Sequence, residues 1–134
     1  PEDWFGDFKK GAFNAYGKIP DVNDDRVHFV KGLFQSVMDD FLKNFNLNNR
    51  RLVLHLDADL YTSTLYILTK LHPLFREGDI IMFDDFLDPI GEFKAFHDYV
   101  RSYRVKLKPI AAVKDYFLID KIAFMFDRQE SLSI

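Results

Sequence analysis

The sequence predicts an α/β fold in which helices alternate with the strands of a sheet. Two short, continuous apolar runs, LVLHL at 52–56 and IIMF at 80–83, are typical of parallel strands buried on both faces. Apolar residues at helical spacing precede, separate and follow these runs, and such alternation defines the α/β class. With 134 residues, 48% of them hydrophobic, the chain is large enough to bury the core of one domain.

The first third of the chain predicts one strand and one helix after an irregular start. Residues 1–26 are loop-like or weakly helical, and the aromatic side chains between Trp4 and Tyr16 indicate that this segment packs against the fold. RVHFVKG at 26–32 predicts a short strand that ends in a glycine turn. Residues 36–45 have the apolar spacing of a helix, with Ser36 as its N-cap.

The rest of the chain predicts four strands and two helices. The strands follow short apolar runs at 51–57, 79–85, 105–113 and 121–127. A helix at 62–75 is predicted to begin at a Thr62 or Ser63 cap and to end before Gly78. A further helix at 91–104 is predicted to turn four residues inward: Phe93, Phe96, Val100 and Tyr103.

Composition narrows the possible partners. The net charge of −3 argues against nucleic acid, because phosphate binding needs a basic surface. The absence of cysteine excludes disulfides and thiolate metal sites. No apolar run approaches the roughly 20 residues of a membrane-spanning helix, and no signal peptide is visible. We therefore expect a cytoplasmic protein with neither a nucleic-acid nor a membrane partner.

Both apolar runs end in carboxylates. Asp57 and Asp59 follow the first run, and Asp84 and Asp85 follow the second. In open α/β sheets, ligands bind outside the carboxyl ends of the strands, so adjacent strands would bring all four side chains into one crevice. Clustered carboxylates repel one another, and Mg²⁺, which prefers oxygen ligands, would relieve that cost. The structural alternative is that Asp84 and Asp85 cap a loop and that Asp59 caps the following helix.

The DxD pattern alone leaves several functions open. Sugar-nucleotide glycosyltransferases use such a motif to hold a metal on the diphosphate, but this does not explain the second acidic strand end, FDDF. The nucleophile motif of haloacid-dehalogenase-like phosphatases is similar but has Thr or Val at the position of Tyr61. A non-catalytic α/β module for binding or oligomerisation is a further alternative.

Three stretches together resemble the macrocin O-methyltransferase-like class I methyltransferases, which use S-adenosylmethionine. The resemblance covers about residues 1–100 and is most specific at DADLYTST together with DDF. The stretches are PEDWFGDFKKGAF, VHFVKGLFQSVM and HLDADLYTSTLYILTKLHPLFREGDIIMFDDF.

The resemblance implies a role for each acidic residue. Asp57, Asp84 and Asp85 would be ligands of Mg²⁺, and Asp59 would be the general base for a substrate hydroxyl. The metal would lower the pKa of that hydroxyl, whose oxygen would then attack the methyl sulfonium. The acceptor would be a small molecule such as a sugar or secondary metabolite. The stretch that would contact the cofactor adenine contains Gly32, Phe34, Gln35 and Ser36.

The chain departs from the family in one respect. The family's glycine-rich cofactor loop is absent from the 134 residues, so residues 1–134 resemble only the C-terminal part of the domain. We expect an incomplete Rossmann-like methyltransferase sheet that binds the cofactor poorly by itself and is inactive alone. The 51–57 strand would then lie at an exposed edge. We expect that edge to be covered by the Trp4–Tyr16 segment, by the 26–32 strand or by a partner chain, as in a homodimer or swapped assembly.

Overall fold

The computed structural model describes residues 14–115 and 118–127. Within these residues it contains three α-helices and one four-stranded sheet, and a short 3₁₀ turn, His72–Leu74, follows the second helix. The elements in chain order are α1 (Phe34–Asn44), β1 (Val53–Leu56), α2 (Tyr61–Leu71), β2 (Ile80–Phe83), α3 (Glu92–Tyr103), β3 (Leu107–Asp115) and β4 (Leu118–Phe126).

The sheet has the strand order β1-β2-β4-β3. β1 and β2 are parallel, with Leu56 opposite Phe83, and α2 connects them. β4 lies antiparallel to both β2 and β3. The carboxyl ends of β1 and β2 therefore lie side by side at one edge of the sheet, which meets the condition that the sequence argument required.

The core lies between the helices and one face of the sheet. On that face, Leu56, Ile81 and Phe83 are almost fully buried, and they pack in one cluster with Leu68 of α2 and Tyr99 of α3. The opposite face is more open, because Val53 is 54% exposed and His55 is also exposed. The prediction that this strand is buried on both faces is therefore wrong for the part of the chain described here.

The predicted strand at 26–32 is also wrong, because residues 27–31 adopt no regular structure. Its apolar side chains, Val27, Phe29 and Val30, are between 40% and 52% exposed. A β-pattern becomes a strand only where a ladder partner is present, and the sheet offers this segment none.

The helix starts differ from the predicted caps. α1 begins at Phe34 rather than after Ser36, and α2 begins at Tyr61 rather than after Thr62 or Ser63. Leucines occupy both N-cap positions and make no side-chain cap bond. Neither helix therefore begins with the polar N-cap residue that the sequence suggested.

The buried face of α3 is rotated from the predicted one. Phe93 is 41% exposed, whereas Glu92, Ala95 and Tyr99 are each fully buried. The predicted inward positions Phe96, Val100 and Tyr103 are partly buried against the core. The rotation matters for the site because it places a glutamate inside the protein.

β1 forms one edge of the sheet, as expected, and no described strand pairs with its outer side. The 26–32 segment does not cover it as a strand, and most of the Trp4–Tyr16 segment lies outside the described residues. Across residues 14–115 and 118–127, the longest helix is too short to cross a lipid bilayer.

Candidate active site

Three of the four predicted carboxylates meet at the carboxyl ends of β1 and β2. One carboxylate oxygen from each of Asp57, Asp59 and Asp85 lies within 4.8 Å of the other two. Asp57 is exposed, and the other two are partly buried. The strand alignment explains why these residues meet, since Leu56 and Phe83 are paired and all three acidic residues follow within three positions of them.

The DAD segment makes a tight turn between β1 and α2. Asp59 has a left-handed backbone conformation, φ +53°, which is uncommon for a residue with a side chain. The amide of Leu60 donates a 2.5 Å hydrogen bond to the carbonyl of Ala58, which closes the turn. Asp59 lies one residue before Leu60, which occupies the N-cap of α2. Strained backbone of this kind is concentrated at functional sites.

Burial and the neighbouring carboxylates disfavour the charged form of Asp85. Burial, followed by the hydrogen bond and charge of Asp59, raises the pKa of Asp85 to about 7. The charges of Glu92 and Asp84 act in the same direction. Because the donors are all carboxylate oxygens and their charges repel one another, the set fits a hard divalent cation such as Mg²⁺.

This shift predicts a pH dependence of stability in the metal-free chain. The folded pKa of Asp85 lies above its ordinary value of 3.8, so the folded chain holds the proton more tightly than the unfolded chain. The resulting stabilisation is complete below about pH 4 and is lost as the pH rises through about 7. After allowance for solvent screening, we expect the free energy of unfolding to fall by roughly 1–2 kcal/mol between pH 5.5 and 8.

Urea unfolding of the chain and of Asp85→Asn at the two pH values measures this effect. Burial lowers the pKa of His72, so His72 makes the free energy of unfolding rise with pH in both proteins. The difference between the two proteins removes this contribution and isolates that of Asp85. Added Mg²⁺ should restore stability at pH 8 in the parent and not in the variant. An identical pH dependence in both proteins would show that Asp85 is not responsible.

Asp84 has different partners from the other three carboxylates. Its Oδ2 lies 2.5 Å from Nζ of Lys121 on β4, and its Oδ1 lies 3.4 Å from Nε2 of His55. The hydrogen bond from Lys121 is the main cause of its lowered pKa. The structure therefore separates Asp84 from the acidic group, and its assignment as a metal ligand stays a prediction.

Glu92 belongs to the site, although sequence reasoning missed it. Its side chain is fully buried, and its two carboxylate oxygens accept hydrogen bonds from the amides of Ala58, at 3.0 Å, and Asp85, at 3.2 Å. Burial raises the pKa of Glu92, and these two hydrogen bonds oppose the rise. In the sequence, Glu92 has only the signature of an acidic residue in the first turn of a helix, which is usually exposed.

Of the four residues predicted to bind the cofactor, only Phe34 lines a pocket near the acidic group. Phe34 lines an apolar pocket of about 260 Å³ that Asp57 also lines, and the other walls are Met38, Phe41, Leu54, His55, Leu56, Ala58, Ile67 and Leu71. Gln35 and Ser36 are exposed or nearly so in the first turn of α1 and do not line it. Gly32 precedes α1, where a Cβ atom would lie 2.3 Å from Cγ1 of Val37. The pocket places an aromatic ring near the carboxylates, which suits an adenine, and all four assignments stay predictions.

Residues 9–125 match the family model for macrocin-O-methyltransferase (TylF). The chain belongs to the macrocin-O-methyltransferase family. This membership confirms the resemblance read from the DADLYTST and DDF stretches.

Two relatives show the extent of the similarity. The 8-demethyl-8-(2,3-dimethoxy-alpha-L-rhamnosyl)-tetracenomycin-C 4'-O-methyltransferase of Streptomyces olivaceus is 30% identical over 105 residues, which are 78% of this chain and 36% of that enzyme. The structure of the O-methyltransferase NovP is 25% identical, with a TM-score of 0.58 over 81% of this chain and 40% of NovP. The chain thus spans about two-fifths of the length of these relatives.

The comparison also confirms the fold class. The mixed four-stranded sheet and its helices form an incomplete Rossmann-like fold of the kind found in this macrocin-O-methyltransferase family. The acidic strand ends therefore lie at the edge of the sheet where such folds bind their ligands.

Proposed function

We propose that this chain supplies the metal-binding and proton-accepting half of an S-adenosylmethionine-dependent O-methyltransferase. The acceptor is a hydroxyl of a small molecule such as a sugar or secondary metabolite. The observation that supports this most strongly is the meeting of Asp57, Asp59 and Asp85 beside the pocket that Phe34 lines. The Streptomyces relative, whose name includes a rhamnosyl group, supports a sugar-bearing acceptor.

The acidic residues have separate roles in this proposal. Asp57 and Asp85 would hold Mg²⁺ together with Asp84, whose carboxylate is paired with Lys121 in this structure. Asp59 is the general base, because it lies within the same acidic group while the turn at φ +53° holds it apart from the strand. When bound, Mg²⁺ supplies positive charge that lowers the pKa of a neighbouring hydroxyl.

In this proposal, the residues of the chain take part in methyl transfer to the acceptor hydroxyl as follows. Asp59 accepts the proton of the acceptor hydroxyl, and the oxygen attacks the methyl carbon of the sulfonium in line. The new carbon–oxygen bond forms as the carbon–sulfur bond breaks, which leaves S-adenosylhomocysteine as a neutral thioether. The methyl ether and a protonated Asp59 are the other products.

Cofactor binding is proposed to involve the segment before and within the first turn of α1. Phe34 would stack on the adenine, and Gly32, Gln35 and Ser36 would contact its polar edge. Because the 134 residues contain no glycine-rich cofactor loop, we propose that the chain alone binds S-adenosylmethionine weakly. The outer edge of β1 is the place where the sheet continues, either into the rest of a methyltransferase domain or into a second copy.

The proposal is tested by methyl transfer from labelled S-adenosylmethionine to a panel of hydroxylated sugars and glycosides. The chain is assayed alone and with a methyltransferase cofactor segment fused ahead of it, and each is assayed with Mg²⁺ and with EDTA. We expect transfer by the fused protein in Mg²⁺, and little by the chain alone or in EDTA. Transfer that EDTA leaves unchanged would contradict the metal role, and fused protein that binds cofactor yet methylates no hydroxyl would contradict the O-methyltransferase assignment.

A further inference from the structure

Glu92 joins the two acidic segments of the site from inside the protein. It is the first residue of α3, and its side chain has no solvent exposure. One carboxylate oxygen accepts the amide hydrogen of Ala58, and the other accepts that of Asp85. The Ala58 amide lies between the two acidic residues of the DAD turn. One buried side chain therefore fixes the backbone of both segments at once.

Gly91 lets α3 approach the DAD turn closely. A Cβ atom at this position would lie 2.3 Å from the backbone carbonyl oxygen of Asp59, which is too near for any side chain. It would also lie 2.1 Å from Oδ2 of Asp88. This contact is independent of the Glu92 hydrogen bonds, and it brings the same end of α3 against the same turn.

We propose that Gly91 and Glu92 form a brace that sets the distance between the DAD turn and the Asp84–Asp85 turn, with Glu92 as a positioning residue for the carboxylate site. The brace touches the backbone of both turns. A site built from several carboxylates needs its donors held at a fixed separation, since their charges push the turns apart. The brace rests on the proposed function in one respect, which is that the site it supports is proposed to bind a cation.

Glu92→Gln tests the brace with almost no change in shape. Glutamine offers one oxygen and one NH₂ group, so one of the two backbone amides would face a donor instead of an acceptor. We expect the Mn²⁺ affinity of the chain to fall about 10- to 100-fold, as is usual when a supporting partner of a metal site is lost. Amide hydrogen exchange at Ala58 and Asp85, followed by NMR, should become faster at one or both positions. Glu77→Gln is the matched control, because Glu77 is exposed, and it should change neither quantity.

The exchange measurement keeps the brace testable apart from the metal proposal. If the parent chain binds no Mn²⁺, the metal centre fails, and the brace is judged from the two amides alone. Parent-like exchange at both amides in folded Glu92→Gln would overturn the brace. If Glu92→Gln does not fold, Gly91→Ala replaces it, because the added methyl group pushes the turn from α3 while both oxygens of Glu92 remain. Weaker Mn²⁺ binding or faster exchange at Ala58 in Gly91→Ala supports the brace, and unchanged values overturn it.

Discussion

Asp85→Asn is expected to lower the Mn²⁺ affinity of the chain by at least roughly 10- to 100-fold. Loss of a residue that only supports a metal ligand already has an effect of this size, and Asp85 is proposed to be a ligand itself. The reason is that burial and the neighbouring Asp59 disfavour the charged form of Asp85 and raise its pKa to about 7, a cost that a bound divalent cation would offset. Asp84→Asn should have a smaller effect, because Lys121 already compensates the charge of Asp84. Isothermal titration calorimetry of the parent and both variants gives the three affinities.

The control for this comparison is Asp40→Asn, which removes the same charge from an exposed acidic pair on α1. It should leave the affinity unchanged within a factor of about two. An Asp84→Asn variant that binds Mn²⁺ as weakly as Asp85→Asn would show that Asp84 leaves Lys121 to become a full ligand. Parent-like binding by Asp85→Asn would remove Asp85 from the site.

Asp59→Asn is expected to slow methyl transfer by about 10²- to 10⁴-fold, the usual contribution of a general base. The fused protein that carries a cofactor segment is the one to assay, at saturating cofactor and Mg²⁺. Since the proposed role of Asp59 is to accept a proton, the Mn²⁺ affinity of Asp59→Asn should fall by less than that of Asp85→Asn. A large loss of methyl-transfer rate with a small loss of Mn²⁺ affinity would therefore identify Asp59 as a base and not as a metal ligand.

Either of two results would contradict the role of Asp59. A Mn²⁺ affinity as low as that of Asp85→Asn would show that Asp59 acts as a ligand, which the 4.8 Å grouping also permits geometrically. A rate within a few-fold of the parent would show that another group or water takes the proton. Asp21→Asn is a suitable control, since Asp21 is exposed and lies outside the acidic group.

The sequence predicts the location of the site better than its details. The apolar runs before Asp57 and Asp84 predict two parallel strands, and parallel strands of one sheet bring their carboxyl ends to the same edge. That inference needs only local pattern and holds in the structure. Long-range contacts decide the rest, as for Asp84, whose partner Lys121 is 37 residues away on a strand of opposite direction.

Glu92 and the 26–32 segment illustrate two further limits. Glu92 has the local signature of an exposed helix-start residue, and its burial follows only from how α3 docks against the DAD turn. The 26–32 segment has the alternation of a strand, yet its apolar residues stay exposed because none of the described strands pairs with it. In both cases the deciding term is a tertiary contact that no single-sequence pattern contains.

The central claim is that the carboxyl ends of β1 and β2 hold a divalent cation, and paramagnetic broadening by Mn²⁺ tests it most directly. Substoichiometric Mn²⁺ is added to the ¹⁵N-labelled chain, and the loss of each amide signal is followed by NMR. The account predicts that the amides of Ala58, Asp59 and Asp85 broaden first and recover when excess Mg²⁺ is added. Broadening that is absent there, or that is strongest at the acidic pairs Asp24–Asp25 and Asp39–Asp40 elsewhere on the chain, would contradict it.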